Sequence, residues 1–147
     1  MLGFAAALDR LEKEPDSRRR ALLLKLALAH LPAASRIRVT HCGAAMARQW
    51  VDAAQSMMSR EPRYRWLGEV SHGKALRLLA RSRLMVISSR MEGGANVVSE
   101  ALANGVPVIA SRISGNVGLL GRDYVGYYPL EDEAALARLL WRTETDR

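Results

Sequence analysis

Two carboxylates, Glu92 and Glu100, bracket the glycine pair Gly93-Gly94 in the stretch LMVISSRMEGGANVVSEALANGVPVIA, residues 84–110. Glycines carry no side chain, so an anionic ligand can come close to the main chain there. A helix capped by Asn96 would turn unpaired N–H groups and the positive end of its dipole toward that ligand, which is the chemistry of a phosphate site. Glu100, one turn into the helix, can accept hydrogen bonds from a diol such as a ribose. Glu92, at the tip of a strand, stands where open α/β sheets bind ligands. The same residues also suit a plain turn and an ordinary helix start, and local chemistry leaves both readings open.

Other reactive side chains offer less. His30, His41 and His72 have no serine or cysteine partner pattern, so a hydrolytic triad finds no support. His72 reads as a solvated loop residue, with a general base as the lesser alternative. The single cysteine, Cys42, excludes an internal disulfide and a thiolate metal cluster, and it fits a reducing compartment. The acidic trio Glu131-Asp132-Glu133 reads as a helix start and not as a metal site. No Gly-x-Gly-x-x-Gly follows a strand, which removes the signature of a dinucleotide-dependent oxidoreductase.

The elements that would position these residues alternate between strand and helix. Residues 84–88 and 106–110 are short branched apolar runs, as buried parallel strands are. Between them Asn96 starts a helix running to about Asn104, and Gly105 stops it. Upstream, residues 16–31 have helical spacing, with Asp16 or Ser17 as cap and Pro32 after the end. Residues 37–41 read as a strand closed by Gly43. Residues 44–59 form a helix with Met46, Trp50, Val51, Ala54, Met57 and Met58 on one buried stripe. Residues 64–70 give a strand and turn, after which Ser71 caps a helix over 74–82. Residues 111–121 read as loop, and 134–141 as a last helix. Residues 1–8 are apolar and fit either a strand or a helix. Strands separated by helices imply right-handed βαβ units and a parallel sheet. The fold class is therefore α/β: one Rossmann-like domain over residues 1–147, with helices on both faces and about five or six strands.

The 147 residues suffice for one cored domain but not two. With 49% hydrophobic and 25% charged residues, wholesale disorder is excluded. A net charge of +7 fits nucleic acid, an acidic membrane surface or an anionic small ligand. Aromatics make up only 5% and the basic residues are dispersed apart from Arg18-Arg19-Arg20, so stacking platforms for single strands are missing. A phosphate-bearing ligand is the better match, and no nucleic-acid partner is expected. The longest apolar stretch, residues 21–31, is broken by Lys25 and His30 and is too short to span a bilayer. The start lacks a basic segment and reaches Asp9 early, unlike a signal peptide. A cytoplasmic location is expected.

The Glu-x7-Glu pattern of Glu92 and Glu100, preceded by Ser-Ser-Arg and followed by Ala-Leu-Ala-Asn-Gly-Val-Pro-Val-Ile-Ala-Ser, resembles a known signature. It is similar to the donor-binding motif E-G-F-G-x-x-x-x-E-A-x-A-x-G-x-P-V-x-A of the large retaining family of GT-B glycosyltransferases. Here Gly94 stands for the aromatic residue and Ala95 for the second glycine. The variant EGGANVVSEA, with SGNVGLLG at residues 114–121, resembles a narrower group. That group is the selenosugar synthases of selenoneine biosynthesis, which join selenophosphate to a UDP-sugar.

The resemblance implies a UDP-sugar substrate, with neither metal nor other cofactor. No Asp-x-Asp pair is present, unlike the metal-dependent enzymes of the other major sugar-nucleotide fold. Glu92 would hold the donor sugar as the catalytic residue, and Glu100 the ribose. Lys13 and the backbone of Gly93, Gly94, Ala95, Asn96 and Val97 would face the diphosphate, without which a leaving charge has no stabilisation. Arg10 would replace the family's arginine, whose own place is taken by Leu8, and the backbone at Val70 would meet the base; the charged segment of residues 10–15 equally suits a solvated turn. Ser114-Gly115-Asn116 would approach donor or acceptor, and Gly118 occupies the place of a later family glutamate. The similarity runs from Arg10 to Trp141, which matches only the C-terminal half of such an enzyme. An N-terminal acceptor domain would then be missing, and the isolated chain would be weakly active or inactive. The rival expectation is a noncatalytic interaction domain that keeps the fold.

Overall fold

A computed structural model describes residues 4–8, 17–43, 48–89 and 95–146. In chain order the elements are β1 (Phe4–Leu8), α1 (Ser17–Ala29), β2 (Arg38–Cys42), α2 (Arg48–Arg60), β3 (Tyr64–Trp66) and α3 (His72–Ala80). They continue as β4 (Leu84–Ile87), α4 (Ala95–Ala103), β5 (Val108–Ser111), α5 (Ser114–Leu120), β6 (Tyr127–Tyr128) and α6 (Glu133–Thr145). The six strands form one sheet in the order β3-β2-β1-β4-β5-β6. Every neighbouring pair is parallel. This is the doubly wound order of a Rossmann-like sheet.

Strand character follows from burial on two sides. All four residues of β4 and all four of β5 are buried. Their side chains alternate between two cores, as the period of two in a strand requires. Leu84, Val86 and Ile109 face a core built with Leu24, Leu28, Val39, Tyr64, Tyr128, Leu136 and Leu140, so α1 and α6 cover that side. Met57, Met58 and Trp66 complete it. Met85, Ile87, Val108 and Ala110 face the other core, with Leu79 of α3 and Val97, Val98 and Ala101 of α4. A sheet covered on both faces needs continuous apolar strands, and the runs LMVI and VIA supply them, with Ser111 closing β5.

Several boundaries depart from the sequence expectations for identifiable reasons. The apolar start is a strand at Phe4–Leu8, because β2 and β4 pair it on both edges. Residues 111–121, expected as loop, contain α5. Its Ile113 N-cap makes no side-chain hydrogen bond, so tertiary contacts and not local capping hold the helix. Helix α4 starts at Ala95. Asn96 therefore lies inside the first turn and is not the cap, since alanine takes helical geometry readily. The last helix is longer than expected and begins at Glu133, capped by Asp132, whose side chain accepts a hydrogen bond from the Ala135 amide at 2.7 Å. Ser71 caps α3 as expected, and Gly105 ends α4 with φ +67°.

Candidate functional site

The strand order reverses between β1 and β4: from β1 the sheet runs one way through β2 to β3, and from β4 the other way through β5 to β6. Open α/β sheets bind ligands in the crevice outside the carboxyl ends of the strands at such a switch point. The two strands are paired through Ala5 with Leu84 and Ala6 with Met85, and they end at Leu8 and Ile87. Arg10 and Lys13 follow β1, and Glu92, Gly93 and Gly94 follow β4; all five lie outside the described residues.

The described walls of this edge are cross-tied. On the β2–β3 side, the Gly43 amide donates to Gly68 O at 2.9 Å, and the Trp66 indole donates to Gly43 O at 3.0 Å. The turn needs Gly68, whose φ of +68° is costly for any residue with a Cβ. Cys42, at the end of β2, is buried; burial pushes its thiol up, with Lys74 pulling the other way. A neutral buried thiol is packing and not a nucleophile. Val70 is half-buried against the α4 side of the core. Next to it, the Ser71 hydroxyl accepts from the Lys74 amide at 3.4 Å.

On the β4–β5 side, a buried polar chain fixes where the strands end. The Ser111 hydroxyl donates to Ser89 O at 2.6 Å. The Asn116 amide donates to Ser111 O at 2.8 Å and to Ser111 Oγ at 3.3 Å. All three residues are buried. Asn116, expected to approach a ligand with Ser114 and Gly115, is thus turned inward and holds α5 to β5. Farther out, the Tyr128 hydroxyl donates to Ile87 O at 3.4 Å, and burial drives its acidity far below that of a free phenol. The Arg112 guanidinium lies 5.5 Å from the centre of the Tyr127 ring, which leaves a cation at the carboxyl end of β5.

Helix α4 carries three more of the expected site residues. Its first turn is Ala95, Asn96 and Val97, and it has no acidic side chain there. The positive end of the helix is consequently uncompensated by its own first turn. Asn96 is exposed and Val97 is 5% exposed, so Val97 offers its backbone and not its side chain. Glu100 stands one turn on, with 26% of its side chain exposed, and its Oε1 lies 3.7 Å from His72 Nε2. The structure therefore brings the Val70–Ser71 loop and Glu100 to one place, through α3 packing beside α4.

Two features escaped the sequence reading. The Ser89–Ser111–Asn116 chain links segments whose neighbourhood depends on strand order, so no local pattern marks it. The His72–Glu100 approach joins residues far apart in sequence, and its only trace was a histidine directly after a helix cap. Among the described residues no group of three or more His, Cys, Asp or Glu could hold a metal. No helix among them is long and apolar enough to cross a membrane.

The family described as Glycosyl transferases group 1 matches residues 4–146. No curated protein matches the chain significantly. Among solved structures, HepE from Anabaena in complex with UDP-glucose superposes with a TM-score of 0.79 at 22% identity, covering 99% of this chain and 40% of that one. A trehalose-6-phosphate protein from E. coli bound with UDP-2-fluoro glucose gives 0.75 at 15% identity, covering 99% and 37%. WaaG, a glycosyltransferase involved in lipopolysaccharide biosynthesis, gives 0.73 at 17% identity, covering 99% and 38%. These likenesses show the fold, and this chain spans about two fifths of the length of those proteins.

Proposed function

We propose that this chain, which belongs to the glycosyl transferases group 1 family, is the donor-binding half of a GT-B glycosyltransferase and takes a UDP-sugar. The observation that carries the reading is Glu100: an acidic side chain on the helix that follows the switch-point strand β4, beside the loop of Val70. Solved relatives of the same fold with UDP-glucose or UDP bound support it.

In this reading the chain supplies orientation and charge. Glu100 accepts the ribose hydroxyls, the Val70 backbone meets the base, and the amides of Gly93 through Val97 face the diphosphate. Lys13 and Arg10 add positive charge to the leaving group, and Glu92 holds the sugar. Transfer builds positive charge on the anomeric carbon and negative charge on the departing diphosphate. Fixed N–H dipoles and cations stabilise the second without reorganising at the moment of reaction. The acceptor belongs to a second domain across the cleft, so the isolated chain binds donor and turns it over weakly or not at all.

A finer reading concerns the acceptor. The segments EGGANVVSEA and SGNVGLLG support selenophosphate. Its selenium would attack the anomeric carbon, the bond from that carbon to the diphosphate oxygen would break, and UDP would leave with the pair. An excess of Lys and Arg over Asp and Glu, 22 against 15, suits two anionic substrates.

Calorimetric titration with UDP, UDP-glucose and UDP-GlcNAc tests the donor reading. Binding that is lost at least tenfold in Glu100→Ala is expected. No heat at millimolar ligand, or binding of NAD in preference to UDP, would refute it. Release of UDP from UDP-GlcNAc by a two-domain enzyme in the presence of selenophosphate, and not of phosphate, tests the acceptor.

A further inference from the structure

Helix α3 begins at His72, and α4 packs beside it. His72 Nε2 lies 3.7 Å from Glu100 Oε1, across two elements that are distant in the chain. The histidine side chain is 54% exposed and the glutamate side chain 26%. The pair therefore sits at the surface of the edge, open to a ligand. It is not part of the packing beneath. A carboxylate has two oxygens and about four lone-pair directions, of which one cation occupies at most a part. With Oε1 turned toward His72, Oε2 remains available to accept from a diol.

A flexible glutamate loses rotamer freedom when it binds a hydroxyl, and a neighbour that restricts it beforehand reduces that loss. Ser71 fixes the start of α3 by accepting from the Lys74 amide, so the histidine projects from an anchored backbone position. The distance exceeds that of a direct hydrogen bond, so the attraction is electrostatic, operates when the imidazole is protonated, and tolerates replacement by a permanently charged side chain.

We propose that His72 is a positioning residue for Glu100: it holds the carboxylate toward the crevice so that the ribose diol of a bound nucleoside diphosphate meets a pre-oriented acceptor. This rests on the donor-site reading above. The effect should be small and specific to the ribose. Exposed charge pairs contribute little, which corresponds to a loss of about two- to fivefold in affinity.

The test uses UDP and its 2′,3′-dideoxy analogue, titrated calorimetrically into the 147-residue chain and its variants. His72→Ala should weaken UDP by about two- to fivefold and leave the dideoxy analogue unchanged. His72→Lys should recover most of the loss, and His72→Ala should have no further effect in a Glu100→Gln background. Equal losses on both ligands, or no loss on either, with the parent chain still binding UDP, would overturn the positioning role and leave the donor site standing. A parent chain that binds neither ligand would overturn both.

Discussion

Asn116 gives the sharpest energetic prediction. It is 3% exposed, and its amide nitrogen donates to Ser111 O and Ser111 Oγ at 2.8 and 3.3 Å. Ser111 O also accepts from the Ile113 amide at 3.0 Å, so truncation leaves that carbonyl with one partner and not none. Asn116→Ala should therefore cost about 2 kcal/mol, combining a lost buried hydrogen bond with a small void. In a chain of this size that is a fall of roughly 4–8 °C in Tm. Asn116→Asp keeps the shape but sets an acceptor against two acceptor oxygens, so it should cost more, about 3–4 kcal/mol near neutral pH. Urea denaturation with scanning calorimetry reads both. A ligand-facing Asn116 would behave in the opposite way, with stability unchanged and UDP affinity reduced. The reasoning fails if Asn116→Ala stays within about 0.5 kcal/mol of the parent, or if Asp is no worse than Ala.

Three further sites give independent outcomes. The Glu61 carboxylate accepts from Arg63 Nε and Nη2, each at 2.8 Å, and these donors hold its carboxyl below the usual range. A lowered folded value means the stabilisation is present above the unfolded value and lost as pH falls through the folded one. Glu61→Gln should cost about 1 kcal/mol at pH 7 and progressively less as the pH falls into the acid range, as denaturation across a pH series would read. Glu144, near the end of α6, accepts from Ser35 Oγ at 2.7 Å and from the Arg36 amide at 2.8 Å. Glu144→Ala should cost about 1 kcal/mol and speed hydrogen exchange in the last turn of α6. A Cβ at Gly126 would lie 2.5 Å from Val108 O and 2.6 Å from the Tyr124 ring. Since the carbonyl belongs to β5 and cannot give way as a side chain can, Gly126→Ala should cost about 2–3 kcal/mol in a thermal melt.

Where burial alone determines an element, the sequence was legible. LMVI and the segment before Ala110 are apolar throughout because the sheet is covered twice, and that pattern survives without any knowledge of partners. Ser71, Asp132 and Gly105 were legible because a cap or a left-handed stop is chemistry within a few residues. Strand β1 was not, since FAAAL is rich in good helix formers and becomes a strand only by pairing with β2 and β4. Helix α5 was hidden by its glycines and its uncapped start; the Asn116 amide that ties it to β5 is a tertiary contact. The two-residue β6 is too short to carry a period. At the candidate site, the spacing of Glu92 and Glu100 was readable, but the reversal of strand order beside it was not. That reversal, and the approach of His72 to Glu100, exist only once the sheet is assembled.

The most direct test of the central claim is a titration of the isotope-labelled chain with UDP, followed by amide chemical shifts. The donor-site account predicts saturable shifts at Gly43, Val70, Ser71, His72, Ser89 and the first two turns of α4. It also predicts silence at the opposite edge, around Ile37 and Arg83. Shifts that concentrate at that opposite edge, or a spectrum unchanged at millimolar UDP, would contradict it.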